Sequence, residues 1–205
     1  MFGGSFNPIH FGHLLVADDI AETLALDRVL FVPAAVPPHK PASELAPAVH
    51  RFAMTQLAVA EHPRFEVSDV ELRRTGPSYT VDTLEALGPL GELYLIIGSE
   101  TFLDLLSWHE PRRLPELARL VVVPRTGNAF DPNAPAAQKV LTELALGSFS
   151  RSGAGGRAVL TEAASLPISG SDLRRRARTG RSLAYRMPAA VVAYIREHGL
   201  YRAAG

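Results

Sequence analysis

The sequence predicts an α/β protein with a Rossmann-like, doubly wound parallel sheet and helices at its C-terminal end. Short apolar runs that stop at proline or glycine indicate buried strands, and segments with helical spacing separate them. The three strongest strand patterns are "RVLFVPAA" (28–35), "ELYLIIG" (92–98) and "ARLVVVPR" (118–125). Strands that alternate with helices are typical of βαβ units and of a mostly parallel sheet, which binds ligands beyond the carboxyl ends of its strands.

The first half of the chain predicts three helices and two strands. The near-helical spacing of Leu14, Ala17, Ala21 and Leu24 predicts a helix over 13–26. A buried strand over 28–35 and a proline-rich loop follow. The patterns then favour a helix over 49–61, an exposed or edge strand over 64–72, and a helix over 78–87.

The second half begins with the clearest strand, 92–98, and continues with a helix over 100–106 and a strand over 118–125. We interpret 126–157 as a variable insertion that holds a helix over 137–146 and a Ser/Gly-rich surface loop. A weak strand over 158–163 and two helices, in 171–180 and 188–201, complete the chain. Without a repeat or a clear boundary, the sequence predicts a single domain over 1–205.

Composition limits the classes of function. The 205 residues have a formal net charge of zero, so no global charge attracts nucleic acid or a membrane surface. The absence of cysteine excludes disulfides, thiol catalysis and thiolate metal sites. No apolar run approaches the ~18 residues of a membrane span, and no signal peptide is apparent. We therefore expect a soluble, cytoplasmic protein.

The opening stretch "GGSFNPIHFGH" (3–13) predicts a phosphate-binding loop that leads into a helix. Gly3 and Gly4 can adopt positive φ and let a ligand approach the backbone, while Pro8 restricts the residue before it. The N–H groups at the helix start attract anions. His10 and His13 would donate hydrogen bonds to phosphate, in cationic form beside phosphate groups. The stretch fits neither the P-loop nor the dinucleotide fingerprint.

The two histidines also allow a simpler interpretation, as a metal pair or as incidental surface residues. A zinc site needs a third protein ligand, and His39 is the evident candidate nearby. We favour phosphate binding.

The stretch "GGSFNPIHFGH" resembles the HxGH nucleotidyltransferase superfamily. Further segments narrow the resemblance to the nicotinate-mononucleotide adenylyltransferases: "VPPHK" (36–40), "PSYTVDTL" (77–84), "LIIGSE" (95–100), "SWHEP" (107–111), "ISGSDLRRR" (168–176) and "HGLY" (198–201). The resemblance implies adenylyl transfer from ATP to nicotinate mononucleotide in NAD biosynthesis, with Mg²⁺, giving deamido-NAD and pyrophosphate. The mononucleotide phosphate is already an anionic nucleophile, so catalysis requires positioning and electrostatic stabilisation more than a general base.

The resemblance also implies roles for particular residues. The catalytic set is His10, His13, Lys40 and Arg174. The ATP-binding set is Gly3, Gly4, Ser5, Phe6, His10, His13, Gly98, Glu100, Ile168, Ser169, Ser171 and Arg174. The mononucleotide-binding set is Asn7, His39, Lys40, Ser78, Tyr79, Thr80, Trp108 and His109. Trp108 would stack on the pyridine ring, and backbone groups of Tyr79, Thr80 and His109 would bind the carboxylate.

Several of these residues have a purely structural alternative. Ser169 suits a helix N-cap, and capping is compatible with phosphate binding at the same helix start. In that interpretation His39 and Lys40 are ordinary surface residues, and Trp108 is a residue of the hydrophobic core. The local arginines of 174–186 are interpreted mainly as a solvated helix face, because aromatic residues are sparse there.

The chain departs from the family pattern at four places, one of which is Ser171, where threonine is commoner. Glu100 stands where aspartate is usual, and His109 where tyrosine is frequent. Relatives carry several apolar residues before the glycine pair, where this chain has Met1 and Phe2. Either the stated start is short of the true one or the first strand is truncated.

Three questions stay open at the level of sequence. The acceptor could instead be nicotinamide mononucleotide or phosphopantetheine, although "PSYTVDTL" and "SWHEP" argue against the latter. A non-enzymatic alternative is a nucleotide-binding regulatory module. The oligomeric state is also undetermined, with a homodimer as one option.

Overall fold

All strand pairs in the computed structural model are parallel, as the alternating pattern predicts. The structure describes residues 1–124, 130–151, 156–164 and 166–202. Within these ranges the strands are β1 (Phe2–Gly4), β2 (Val29–Pro33), β3 (Phe65–Val67), β4 (Tyr94–Gly98), β5 (Arg119–Val123), β6 (Phe149–Ser150) and β7 (Ala158–Leu160). The helices are α1 (Phe11–Thr23), α2 (Ala48–Val59), α3 (Thr80–Leu87), α4 (Ser99–Leu103), α5 (Leu114–Leu117), α6 (Pro135–Glu143), α7 (Gly170–Arg178) and α8 (Ala189–Glu197).

The strands form two parallel groups that meet at Met1. One group has the order β1-β2-β3 and the other β4-β5-β7-β6. The amino group of Met1 donates to the carbonyl oxygen of Tyr94 at 2.6 Å, and the N–H of Ile96 donates to the carbonyl of Met1 at 3.0 Å. β1 and β4 are therefore neighbours, and the strand order reverses between them.

Neighbouring hydrophobic residues of the central strands point to opposite faces of the sheet and fill two separate cores, one on each face. Ile96 and Val121 face a core that includes residues of α1, α2, α7 and α8. Leu95 and Leu120 face a second core with α3, α4, α5 and α6. Because both faces are covered, each central strand is apolar at nearly every position, which explains its continuous apolar pattern.

Two details differ from the prediction. The strand expected over 64–72 ends at Val67, because the chain then turns and the N–H of Arg73 donates to the carbonyl of Asp69. β3 is an edge strand, as predicted. Within the 126–157 insertion, the predicted helix is α6, but Phe149–Ser150, expected in a surface loop, pairs with β7. The parts of that insertion at 126–129 and 152–155 lie outside the described residues.

No helix within the described ranges is both long and apolar enough to cross a membrane. The reversal of strand order between β1 and β4 is of greater consequence for function. Ligands of open α/β sheets bind at such a reversal, beyond the carboxyl ends of the two strands. Here those ends are followed by residues 5–10 after β1 and by residues 99–100 after β4.

Candidate active site

His10 and His13 form a stacked pair at the start of α1. His10 is the N-cap residue, with an extended backbone, and is 6% exposed. The two imidazole centroids are 3.7 Å apart, and the N–H of His10 donates to Nδ1 of His13 at 3.2 Å. A neutral imidazole that accepts at Nδ1 carries its proton on Nε2. In the neutral form of His13 the remaining N–H is therefore that of Nε2.

Gly12 leaves space for the His10 ring. A Cβ atom at Gly12 would lie 3.1 Å from Nδ1 and 3.2 Å from Cε1 of His10. Distances this short force a neighbour to move. The glycine of the HxGH pattern thus allows the His10 ring to lie against the first turn of the helix.

Gly3 and Gly4 do not use the positive φ that glycine allows. They belong to β1, and neither has a positive φ; the positive φ in this loop, 42°, belongs to Phe6. A Cβ at Gly4 would lie 3.2 Å from the Phe6 ring, which is 2% exposed and packs edge-on against His13 with centroids 5.2 Å apart. Gly4 thus makes room for the Phe6 ring, which supports His13.

The other two predicted catalytic side chains are held on the same loop. Nζ of Lys40 donates to Oγ of Ser5 at 2.9 Å. Nη1 of Arg174 donates to the carbonyl oxygen of Asn7 at 2.9 Å. Lys40 and Arg174 come from distant parts of the sequence, yet each is hydrogen-bonded to residues 5–13, the 5–13 loop, which holds His10 and His13.

The start of α7 is capped as a helix N-terminus should be. Oγ of Ser169 accepts from the N–H of Asp172 at 3.2 Å and lies 3.1 Å from Oγ of Ser171. A Cβ at Gly170 would lie 3.0 Å from the carbonyl oxygen of Asn7, so glycine allows α7 to approach the loop. Ile168 packs against the first core. Capping, the structural interpretation of Ser169, is confirmed.

Residues predicted to bind the mononucleotide form a second contact group. Ser78 exchanges two hydrogen bonds with Val36, through its Oγ at 3.0 Å and its N–H at 2.9 Å. The rings of Tyr79 and His109 stack with centroids 4.1 Å apart. Trp108 is half-buried and packs against the second core.

Four further predicted residues lie at element ends or on loops. Thr80 begins α3. Gly98 ends β4, and Glu100 is exposed in the first turn of α4, at the strand-order reversal. His39 is exposed on the loop after β2. Within the described residues, no three His, Asp or Glu side chains cluster as a metal site would require.

The side chain of Asn7 is buried and hydrogen-bonded to other parts of the chain. It is 5% exposed, its Nδ2 donates to the carbonyl of Glu44 at 2.8 Å, and its Oδ1 accepts from the N–H of Ala46 at 3.1 Å. Oδ1 also accepts from the hydroxyl of Tyr201 at 2.9 Å. The amide joins three segments of the chain around the loop.

Arg51 is a functional candidate that the sequence reasoning missed. It is 1% exposed, and its guanidinium donates to the carbonyls of Ser5, Ala35 and Ala46 at 2.8, 3.1 and 2.8 Å. Burial lowers the pKa of Arg51, and nearby Tyr201 and Glu71 oppose that shift. An arginine within a helical pattern gives no signal of such burial, because arginine is usually exposed.

Comparison with known proteins shows the family to which the chain belongs. Residues 1–176 match the cytidylyltransferase-like family model. A Thermus thermophilus protein named "Probable nicotinate-nucleotide adenylyltransferase" is 48% identical over 205 residues, which cover 98% of each chain. A Roseiflexus sp. (strain RS-1) protein of the same name is 46% identical, covering 98% of this chain and 96% of the relative.

The chain belongs to the nicotinate-nucleotide adenylyltransferase family. It is thus an enzyme of the nucleotidyltransferase class, as the HxGH resemblance implies. The nicotinic acid mononucleotide adenylyltransferase of Plasmodium falciparum, complexed with NaAD, superposes with a TM-score of 0.74 at 20% identity, over 98% of this chain and 95% of that one. The adenylyltransferase fold, with its Rossmann-like parallel sheet, is confirmed.

Proposed function

We propose that the protein transfers the adenylyl group of ATP to the phosphate of nicotinate mononucleotide, releasing pyrophosphate and forming deamido-NAD. One observation carries the proposal: His10, His13, Lys40 and Arg174 all converge on the 5–13 loop at the reversal of strand order. Such a set of N–H donors suits the reaction of two anionic phosphates, which needs charge stabilisation and alignment.

The proposed roles follow from position. His10 and His13 bind the α-phosphate, and Arg174 at the start of α7 binds the β- and γ-phosphates. Lys40 draws the mononucleotide phosphate toward the loop. Glu100, beyond β4, binds a ribose hydroxyl of ATP.

The acceptor base is assigned to the second contact group. The face of Trp108 stacks on the pyridine ring, and backbone N–H groups near Tyr79 and His109 bind the carboxylate. This assignment rests on the family resemblance and on the stacking that joins the segments of Tyr79 and His109.

A divalent cation is proposed to enter with ATP. The loop offers N–H donors and cations, which suit phosphate oxygens and do not ligate a metal, so Mg²⁺ would be held by the nucleotide phosphates themselves. When bound, Mg²⁺ neutralises charge on the triphosphate. We further propose that residues 1–205 act as one domain in the cytoplasm.

The test is pyrophosphate release from ATP and Mg²⁺ with nicotinate mononucleotide, nicotinamide mononucleotide and phosphopantetheine offered separately. We expect strong turnover with nicotinate mononucleotide. Preference for another acceptor would overturn the roles of Trp108 and Tyr79 but keep those of the loop. Nucleotide binding without pyrophosphate release for every acceptor would indicate a regulatory module instead of an enzyme.

A further inference from the structure

Tyr201 connects the last described turn of the chain to the phosphate loop. It follows α8 with a φ of 62°, and its hydroxyl donates to Oδ1 of Asn7, 194 residues away, at 2.9 Å. Burial raises the pKa of the hydroxyl, and Arg51 and Arg174 oppose that shift. The hydroxyl therefore keeps its proton and remains a donor throughout the physiological pH range.

Asn7 links Tyr201 to the side chain of Arg174 through hydrogen bonds to both. Its side-chain amide is fixed by Tyr201 on one side and by residues 44–46 on the other. Its backbone carbonyl accepts the Nη1 hydrogen bond of Arg174. A shift of the Asn7 backbone would thus move the acceptor that orients the guanidinium.

An open pocket of about 560 Å³, lined by residues 43–47, Arg174 and the tail at 199–202, lies beside the segments that hydrogen-bond to Asn7. Loss of one of these hydrogen bonds would leave space into which the 43–47 segment can shift.

We propose that Tyr201 is a positioning residue for adenylyl transfer, because its hydroxyl fixes Asn7 and Asn7 in turn orients Arg174. The inference rests on the proposed function of the same site. Tyr201 touches neither substrate in this proposal and acts through the loop.

The test compares Tyr201→Phe with Tyr194→Phe. The Tyr194 hydroxyl, in α8 of the same terminal region, lies 2.9 Å from Nδ1 of His50 and has no hydrogen bond to the loop, so it is a matched control. A net hydrogen bond corresponds to up to about a 10-fold change in rate. We expect Tyr201→Phe to lower kcat about 5- to 10-fold with both KM values within about 2-fold. Tyr194→Phe should leave kcat unchanged.

A double-mutant cycle with Arg174→Lys separates positioning from general stability. If Tyr201 acts through Arg174, Tyr201→Phe should lower kcat less than about 2-fold in the Arg174→Lys background. Additive losses in the cycle, or equal losses of kcat in the Tyr194→Phe control, would overturn the inference.

Amide hydrogen exchange gives a readout that does not depend on turnover. We expect faster exchange at residues 44–46 in Tyr201→Phe but not in Tyr194→Phe, because Ala46 donates its N–H to Asn7. Unchanged exchange would refute the link even if the wild type proved inactive. Inactivity of the wild type with every acceptor would instead count against the proposed function, so the two failures are distinguishable.

Discussion

The imidazole rings of His10 and His13 stack with their planes inclined by 28°. The stack is possible because Gly12, between them in sequence, leaves the space that the His10 ring occupies. The two rings therefore form one continuous surface, and the HxGH spacing has a steric explanation.

Gly12→Ala should lower kcat by at least about 10-fold while the melting temperature stays level or rises. The added Cβ displaces the His10 ring, whereas alanine in a helix is favoured over glycine by roughly 0.5–1 kcal/mol. Steady-state kinetics and thermal unfolding on the same preparation check this. Full activity would show that the His10 ring position is not required.

His13→Ala should lower kcat by about 100- to 1,000-fold, the typical effect of losing one transition-state donor. Its effect on ATP affinity should be far smaller, because the donor acts mainly on charge that develops during transfer. His62→Ala is the control, since His62 contacts Asp18 at 3.0 Å and Phe65, away from the loop. Equal losses of turnover and ATP affinity would contradict the transition-state role.

Trp108→Ala should raise the KM for nicotinate mononucleotide about 10-fold or more and leave the KM for ATP nearly unchanged. Loss of one aromatic stacking surface explains that magnitude. Tyr185→Ala removes an aromatic side chain that is 94% exposed and should change neither constant. An unaltered acceptor KM would return Trp108 to a purely structural role.

Arg51→Met should lower the free energy of unfolding by about 3 kcal/mol, because three partly buried carbonyls lose their donors. Urea unfolding of the wild type and the variant measures this loss of stability. The control, Arg28→Met, breaks an exposed ion pair with Glu66 and should cost less than about 1 kcal/mol. Similar losses in the two variants would show that the three carbonyls find other partners.

The sequence predicts most of the sheet because buried parallel strands are continuous apolar runs with clear stops. It misses β6, since two residues cannot display a pattern. The histidines of the loop likewise predict its chemistry, and that prediction is the one His13→Ala tests. The sequence does not reveal the residues that support the loop. From sequence alone, Asn7 and Arg51 could contact ligand or solvent as readily as backbone, and their partners lie far away along the chain, where local spacing gives no signal.

β1 is made early and becomes an inner strand of the sheet, with β2 on one side and Met1 joined to β4 on the other. As the polypeptide leaves the ribosome, one edge of β1 has no neighbour until residues 94–96 have been synthesised. Exposed strand edges are templates for aggregation. A polypeptide whose synthesis stops after β2 but before the end of β4 would carry that open edge. Chaperones would have to prevent its aggregation, or proteases would have to degrade it.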